Sequence, residues 1–360
     1  MNEEQTRQLA ALLDALIEEV GEDENGGAVF RHWRSTLSEW NVTELDMFAR
    51  NCSGMLAHCH FSDKAWRLLG AVADLLGECT GPTYCIKTLL DDAVLIGCGL
   101  SIARCDAELL LSAALGKPRS HLYAWPEKRP SKKQVKTFYR FTERRRAGEP
   151  VAYILGKQGF YSLELSVNPH CLIPRADTET LVEAALQRLP DTPARLLDLG
   201  TGSGAIALAL AKERPNWQLV GVDKQPKAVA LAEQNRKQLA LANVQFLSSN
   251  WFAALKGQRF AAIVSNPPYI AENDEHLGQG DLRFEPRTAL VAGGDGLDAL
   301  RHISQNAADY LQAGGLLLLE HGWKQAEAVR ELLAQADFIE IESLRDLGGN
   351  WRVSLGRLPC

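Results

Sequence analysis

Arg195-Leu196-Leu197-Asp198-Leu199-Gly200-Thr201-Gly202-Ser203-Gly204 reads as a buried strand running into a glycine-rich turn, and helix-forming residues follow from Ala205 to Lys212. Glycines at every second position allow a tight turn and close approach of the backbone to a ligand, as in doubly wound nucleotide folds. Alone, Gly-x-Gly-x-Gly is a weak signal. Its weight comes from the next apolar run, Leu219-Val220-Gly221-Val222, which ends on Asp223. An acidic side chain about 20 residues beyond the turn suits hydrogen bonding to ribose hydroxyls. The third glycine stands one position earlier than in the dinucleotide fingerprint, which favours S-adenosylmethionine over NAD.

Working outward, helices alternate with apolar strands from about Asp177 onward, the pattern of an α/β fold with a parallel sheet. Strands are expected near 195–199, 218–222, 244–248, 260–265, 316–320, 338–343 and 351–356, the last two as a terminal antiparallel pair. Upstream, Pro150 to Val167 reads as a strand hairpin, with alternation in Tyr161 to Val167. From Tyr84 to Arg146 the pattern is helical: Asp106 to Leu111 fall in one helix, and Ser131 is placed to cap another through Val135, Phe138, Tyr139 and Phe141.

The run Phe260-Ala261-Ala262-Ile263-Val264 leads into Asn266-Pro267-Pro268-Tyr269. These four residues suit the gripping of a planar –NH2 group while a methyl group is delivered to its nitrogen. The Asn side-chain oxygen and a neighbouring carbonyl, expected at Pro267, each accept one N–H. The prolines lack an N–H and stiffen the carbonyl positions, and the Tyr ring can pack against the planar group. No strong general base is needed, because the nitrogen's proton becomes acidic once the nitrogen is methylated and positively charged.

At 360 residues and 46% hydrophobic content the chain can build more than one domain with a sizeable core. No apolar stretch reaches the length of a membrane span, the N-terminus lacks the pattern of a signal peptide, and eight cysteines are scattered. A reduced, cytoplasmic setting with no membrane contact is expected. The net charge of −6 is uneven: residues 1–83 hold 6 Lys/Arg against 14 Asp/Glu, leaving 33 against 31 in the rest. Between Lys128 and Arg146, nine basic residues stand against Glu143. That stretch is either a solvated helix face or a docking surface for an acidic protein or RNA.

Residues up to about Pro82 look helical. Leu9, Leu12, Leu13, Leu16, Ile17 and Val20 form one apolar face, which Gly26-Gly27 breaks. Helix-like stretches follow around 43–57 and 63–77, the second with Ser62 as a cap. Cys52, His58, Cys59 and His60 lack the spacing of a structural zinc site, so no metal is expected. Trp33, Trp40 and Trp66 read as packing residues.

Taken together, Ile173-Pro174-Arg175-Ala176-Asp177-Thr178-Glu179, the glycine turn, Asp223, Asn266 to Tyr269 and Arg283-Phe284-Glu285-Pro286 occur in one order at one set of spacings. On these motifs residues 84–360 resemble the peptide-chain-release-factor glutamine N5-methyltransferases, the HemK/PrmC family. The related ribosomal-protein glutamine methyltransferases usually continue Ile-Pro-Arg with Ser-Pro, so Asp177-Thr178-Glu179 favours the release-factor branch.

The resemblance implies a class I methyltransferase, a Rossmann-like seven-stranded α/β fold preceded by helical domains. The implied boundaries are a helical substrate-recognition domain (84–150), a β-hairpin linker (151–175) and the methyltransferase domain (176–360), while residues 1–83 lie outside the resemblance as an acidic helical extension of unknown role. The implied activity is methyl transfer from S-adenosylmethionine to N5 of the glutamine in the Gly-Gly-Gln motif of release factors, supporting translation termination. Gly200, Thr201, Gly202, Ser203 and Gly204 would hold the cofactor with Asp223, Trp251 and Asn266. Asn266, Pro267 and Tyr269 would be catalytic, and with Pro268 would bind substrate. Asn250 departs from the Asp usual at that place. The alternatives are a ribosomal-protein glutamine methyltransferase and an adenine N6 or RNA methyltransferase, whose planar –NH2 suits the same tetrapeptide. No direct nucleic-acid requirement is expected.

Three residues keep two readings. Asp198 either orients the cofactor's amino-acid end through water or satisfies the glycine turn. Arg175 either closes the site over the donor or serves structure, capping a helix or pairing with a carboxylate. Glu285, with Pro286, is either functional or structural.

Overall fold

The computed structural model describes residues 3–20, 25–37, 64, 68, 71, 72, 75, 85–95 and 102–360. Two compact units divide the chain, Met1–Leu155 and Gly156–Cys360.

The regular elements among the first unit's described residues are all helices. Helix Glu3–Val20 buries Leu9, Leu13, Leu16 and Val20, the i, i+4, i+7 stripe of an amphipathic helix. Phe30 joins this cluster from the next helix, Asn25–Thr36. Trp33 packs edge-on against Phe30 with ring centroids 5.6 Å apart. The expected break at Gly26-Gly27 is corrected: the first helix ends at Val20, and the glycines lie in the first turn of the second. N–H groups in a first turn have no intrahelical partner, so glycine is tolerated there. The segment 43–57 and Trp40, Cys52, His58, Cys59, His60, Ser62 and Trp66 lie outside the described residues.

A second cluster in this unit gathers Leu89, Leu110, Leu111, Leu122 and Phe138 from helices Ile86–Leu95, Arg104–Leu115, Arg119–Ala124 and Lys132–Arg146. Ser131 caps the last of these in a reciprocal capping box with Gln134. Within the basic stretch, Arg144 pairs with Glu149 and Arg145 with Asp106. Glu108, 3% exposed, accepts from Tyr123, Arg119 and Arg104. The Tyr123 hydroxyl and the two guanidinium groups hold its carboxyl down at about 2.

The second unit opens with a hairpin, β1 (Lys157–Phe160) and β2 (Leu163–Ser166), paired antiparallel. It is shorter than expected, because Val151–Leu155 is helical and buries Ala152, Tyr153 and Ile154. Seven strands then form one sheet: β3 (Arg195–Leu199), β4 (Gln218–Asp223), β5 (Val244–Ser248), β6 (Phe260–Ser265), β7 (Leu311–Glu320), β8 (Ile339–Arg345) and β9 (Trp351–Arg357). Their order is β5-β4-β3-β6-β7-β9-β8. The first five run parallel, and β9 pairs antiparallel with both β7 and β8.

Strand periodicity builds two cores. Leu196, Leu219, Ala262, Val264, Leu316 and Leu318 pack on one face. Leu197, Leu199, Val220, Val222, Ile263, Leu317 and Leu319 pack on the other. Both faces being covered explains why these strands read as continuous apolar runs. The chain order reverses between β3 and β6, and in open α/β sheets such a switch point opens a crevice at the strands' carboxyl ends.

Candidate active site

Four strand ends meet a single cavity of about 500 Å³, within the range of small-ligand sites. Gly200, Thr201, Gly202 and Ser203 line it after β3, Asp223 at the end of β4, Ser249, Asn250 and Trp251 after β5, and Asn266 and Pro268 after β6. Sequence positions up to 68 residues apart thus converge because parallel strands all end at the same sheet edge.

The glycine turn is held from inside. Asp198 is fully buried; its Oδ2 accepts from Thr201 Oγ1 at 2.6 Å and from the Ala207 N–H at 3.3 Å. Gly221, its neighbour in register on β4, leaves the room: a Cβ there would sit 2.8 Å from Thr201 Oγ1. Asp198 thus ties the Thr201 side chain to the start of the following helix, and it does not line the cavity. Burial pushes its carboxyl up to about 7, and Oδ1 has no hydrogen-bond partner among the described residues. Gly204 also stays off the cavity lining. Its φ of +85° and a hypothetical Cβ 2.9 Å from Leu208 and Phe246 show that glycine is required there for packing.

Asp223 is oriented by backbone donors: Gly202 N–H to Oδ2 at 3.0 Å and Gln225 N–H to Oδ1 at 2.8 Å. Each carboxylate oxygen keeps a further lone pair for a hydroxyl. Burial pushes this carboxyl up, against the pull of those N–H groups. The turn after β5 is tied back by the Ser249 N–H donating to the Asp223 carbonyl at 2.9 Å, and Ser249 Oγ donates to the Trp251 carbonyl at 2.7 Å. Trp251, at φ +52°, sets its ring 6.0 Å from His302, which also lines the cavity.

On the acceptor side, Asn266 Nδ2 donates to Thr178 Oγ1 at 3.1 Å. Thr178 is 4% exposed and lines the cavity. Pro267 is buried, and neither it nor Tyr269 lines the cavity. Tyr269 packs instead against the second core, and its hydroxyl donates to Glu320 Oε1 at 3.4 Å. Its carbonyl accepts from Gln325 Nε2 at 3.0 Å. Of the tetrapeptide, Asn266 and Pro268 face the cavity while Pro267 and Tyr269 hold it from behind.

Glu320 is 1% exposed. Burial pushes its carboxyl up to about 7, against the pull of the Thr178 hydroxyl and the Arg352 guanidinium. Burial also raises the Tyr269 phenol and lowers His321 to about 4. Glu285 accepts from the Ile173 N–H at 3.0 Å and pairs closely with Arg175. Both thus stitch the 173–175 segment to the 280s loop, with Arg175 paired to a carboxylate. Thr178, Glu320, Cys171 and His302 were not marked as site residues from sequence. Thr178 sits inside a quoted motif, but the other three carry no local signal.

The groups fit an adenosyl cofactor: an acidic residue at the second strand end for ribose hydroxyls, an aromatic ring beside it, and backbone N–H groups at a glycine turn. Among the described residues no group of His, Cys, Asp and Glu side chains could hold a metal ion, and no helix is long and apolar enough to cross a membrane.

Fold and site together define a class I methyltransferase. Comparison with known families agrees: the Methyltransferase small domain model matches residues 176–295, and the PrmC N-terminal domain model matches 93–156. The chain belongs to the release factor glutamine methyltransferase family. It is 56% identical to the release factor glutamine methyltransferase of Pseudomonas aeruginosa, over 72% of this chain and 94% of that one. It is 52% identical to the Escherichia coli protein of that name, over 71% and 92%, and 51% identical to the Vibrio cholerae protein, over 70% and 88%.

Proposed function

We propose that this protein transfers a methyl group from S-adenosylmethionine to the side-chain amide nitrogen, N5, of the glutamine in the Gly-Gly-Gln motif of peptide chain release factors. The observation that carries the reading is Asn266, whose Nδ2 is spent on Thr178, leaving Oδ1 to accept beside the glycine turn. Membership in the family supplies the substrate class.

S-adenosylmethionine, when bound, supplies an electrophilic sulfonium methyl. The residues of the chain do the rest. Asp223 would hold the ribose hydroxyls, Trp251 would pack beside the adenine, and the 200–203 turn would hold the amino-acid end. Asn250 brings donors as well as one acceptor oxygen to the adenine side. A glutamine amide nitrogen is a poor nucleophile because its lone pair is delocalised into the carbonyl. Asn266 Oδ1 accepts one amide N–H and a backbone carbonyl of the tetrapeptide accepts the other, which turns the lone pair toward the methyl group. Holding the partners in line contributes on the order of 7–11 kcal/mol in favourable cases. Asn266 thus acts by orientation and polarisation. In this reading residues 84–150 take part in recognising the protein substrate, and residues 1–83 lie outside the chemistry.

The test is transfer of labelled methyl to release factor, ribosomal protein and nucleic acid offered separately. Label is expected in the release factor at its Gly-Gly-Gln glutamine. Label in a ribosomal protein, DNA or RNA with the release factor untouched overturns the assignment.

A further inference from the structure

The tetrapeptide is held at its far end by Gln325, a residue that does not line the cavity. β7 ends at Glu320, and the chain turns through Gly322-Trp323-Lys324-Gln325 into helix Ala326–Gln335. The turn is reciprocal: the Gln325 N–H donates to the Gly322 carbonyl at 2.9 Å, and the Gly322 N–H donates to Gln325 Oε1 at 2.8 Å. A backbone N–H only donates, so this bond settles which end of the side-chain amide points back into the turn. Nε2 points the other way, to the Tyr269 carbonyl at 3.0 Å and the Gly296 carbonyl at 3.4 Å. Both of its protons are thereby placed on carbonyl oxygens.

The two carbonyls belong to segments that shape the acceptor side. Ile270 pairs with the 290s loop, its N–H donating to the Leu290 carbonyl at 2.9 Å and its carbonyl accepting from the Ala292 N–H at 3.0 Å. Val291, Ala292 and Gly293 of that loop line the cavity. Gly296, at φ +75°, lets the loop come against the tetrapeptide: a Cβ there would lie 2.5 Å from the Tyr269 carbonyl oxygen. Tetrapeptide and loop thus form one paired unit, and Gln325 ties both to the end of β7 through a single amide. At the near end, Asn266 is held by Thr178. Between these held ends the prolines lock φ, so movement at Tyr269 is passed on to the Pro267 and Pro268 carbonyls rather than absorbed.

We infer that Gln325 is a positioning residue for methyl transfer: by donating to the Tyr269 and Gly296 carbonyls at once, it fixes the tetrapeptide against the cavity-wall loop, so that the carbonyl receiving the second amide N–H keeps its aim. This inference rests on the amide-gripping role of the tetrapeptide proposed above. The function it gives Gln325 is that of a donor, because a side chain of the same shape that only accepts would face two carbonyl oxygens.

The experiment compares Gln325→Ala, Gln325→Glu and Asn266→Ala in the full chain, assayed at about pH 8, where a carboxyl is ionised. The readouts are kcat and KM for methylation of release factor, calorimetric Kd for S-adenosylmethionine, and the thermal unfolding midpoint. Gln325→Ala is expected to lower kcat about tenfold and Gln325→Glu about a hundredfold, since the carboxylate keeps the shape but opposes both carbonyls. KM for release factor and cofactor Kd are expected to stay within about twofold, the split of an interaction that acts in the transition state. Wild-type kcat in both Gln325 variants while Asn266→Ala is inactive overturns the inference and leaves the function standing, whether or not the unfolding midpoint falls. A loss in Gln325→Glu no larger than in Gln325→Ala, or a KM or Kd that rises in step with the fall in kcat, also overturns it. Normal turnover in Asn266→Ala removes the amide-gripping role itself.

Discussion

The two sides of the cavity are built differently. The donor side is made by backbone, from partners close in the chain: Gly202 and Asp223 are 21 residues apart, and Ser249 and Trp251 only two. The acceptor side is made by side chains reaching across the unit: Asn266 to Thr178 over 88 residues, Tyr269 to Glu320 over 51, and Gln325 to the Tyr269 carbonyl over 56. A backbone-built rim tolerates changes in side chains, because its donors are main-chain N–H groups that every residue but proline carries. A rim built from side chains depends on each partner in turn.

This contrast can be broken most sharply at Asn266. Asn266→Ala is expected to reduce kcat by about a hundredfold to a thousandfold, the size of losing one preorganised polar group at a reacting centre. Titration calorimetry should show far less change in S-adenosylmethionine affinity. Equal losses in both would mean that the two sides are not separate.

Asp223→Ala reverses the pattern. Removing a carboxylate that meets ribose hydroxyls is expected to weaken S-adenosylmethionine binding about tenfold to a hundredfold, the range of a hydrogen bond to a charged group. The kcat at saturating cofactor should change much less. A fall in kcat at saturation with unchanged Kd would move Asp223 to the acceptor side.

The smallest effect concerns the scaffold behind the acceptor side. His321, next to Glu320, is fully buried. Its Nδ1 donates to the Gly322 carbonyl at 2.9 Å and its Nε2 pairs with Ser354 Oγ at 2.8 Å. Burial lowers its folded pKa to about 4 from the ordinary 6.5. Between these values the unfolded chain binds a proton that the folded chain does not, so stability contributed by neutral His321 is full above pH 6.5 and lost as pH falls toward 4. Relative to His321→Gln, the protein should lose about 2 kcal/mol between pH 7 and pH 5, measured by urea unfolding. Glu320 and Asp198, with raised pKa values, act in the opposite sense, which is why the comparison is made against the single variant. Parallel curves for the two proteins would show that His321 does not titrate in this window.

The donor side was legible because its parts lie in short runs with a fixed order. Strand, glycine turn and Asp223 recur within one strand–helix–strand unit, and every expected strand from 195 to 356 is present. Asn266 was legible because the prolines beside it mark a stiff strand end. Packing places other expected site residues off the cavity lining. Gly204 serves packing, and Pro267 and Tyr269 hold the tetrapeptide from within. Thr178 and Glu320 passed unseen, since a threonine at a helix start and a glutamate ending an apolar strand both have ordinary explanations. The hairpin was overextended at Val151–Leu155, where an apolar run fits a buried helical turn as well as a strand. The acidic composition of residues 1–83 marks them off by charge but names no chemistry.

By itself, the order of apolar runs, glycines and acidic strand ends determined a parallel α/β sheet with the glycine turn at one edge and the Asn266 to Tyr269 tetrapeptide beside it. Those features depend on backbone periodicity and on residues near one another in the chain. Only the tertiary structure decided that Asn266 Nδ2 meets Thr178, that Tyr269 packs on the second core, and which groups Asp198 and Glu285 bond. For Asn266, Tyr269 and Glu285 those outcomes depend on donors and acceptors brought together across 51 to 112 residues, whereas Asp198 meets partners 3 and 9 residues away, and in each case packing chooses the buried polar group's partner.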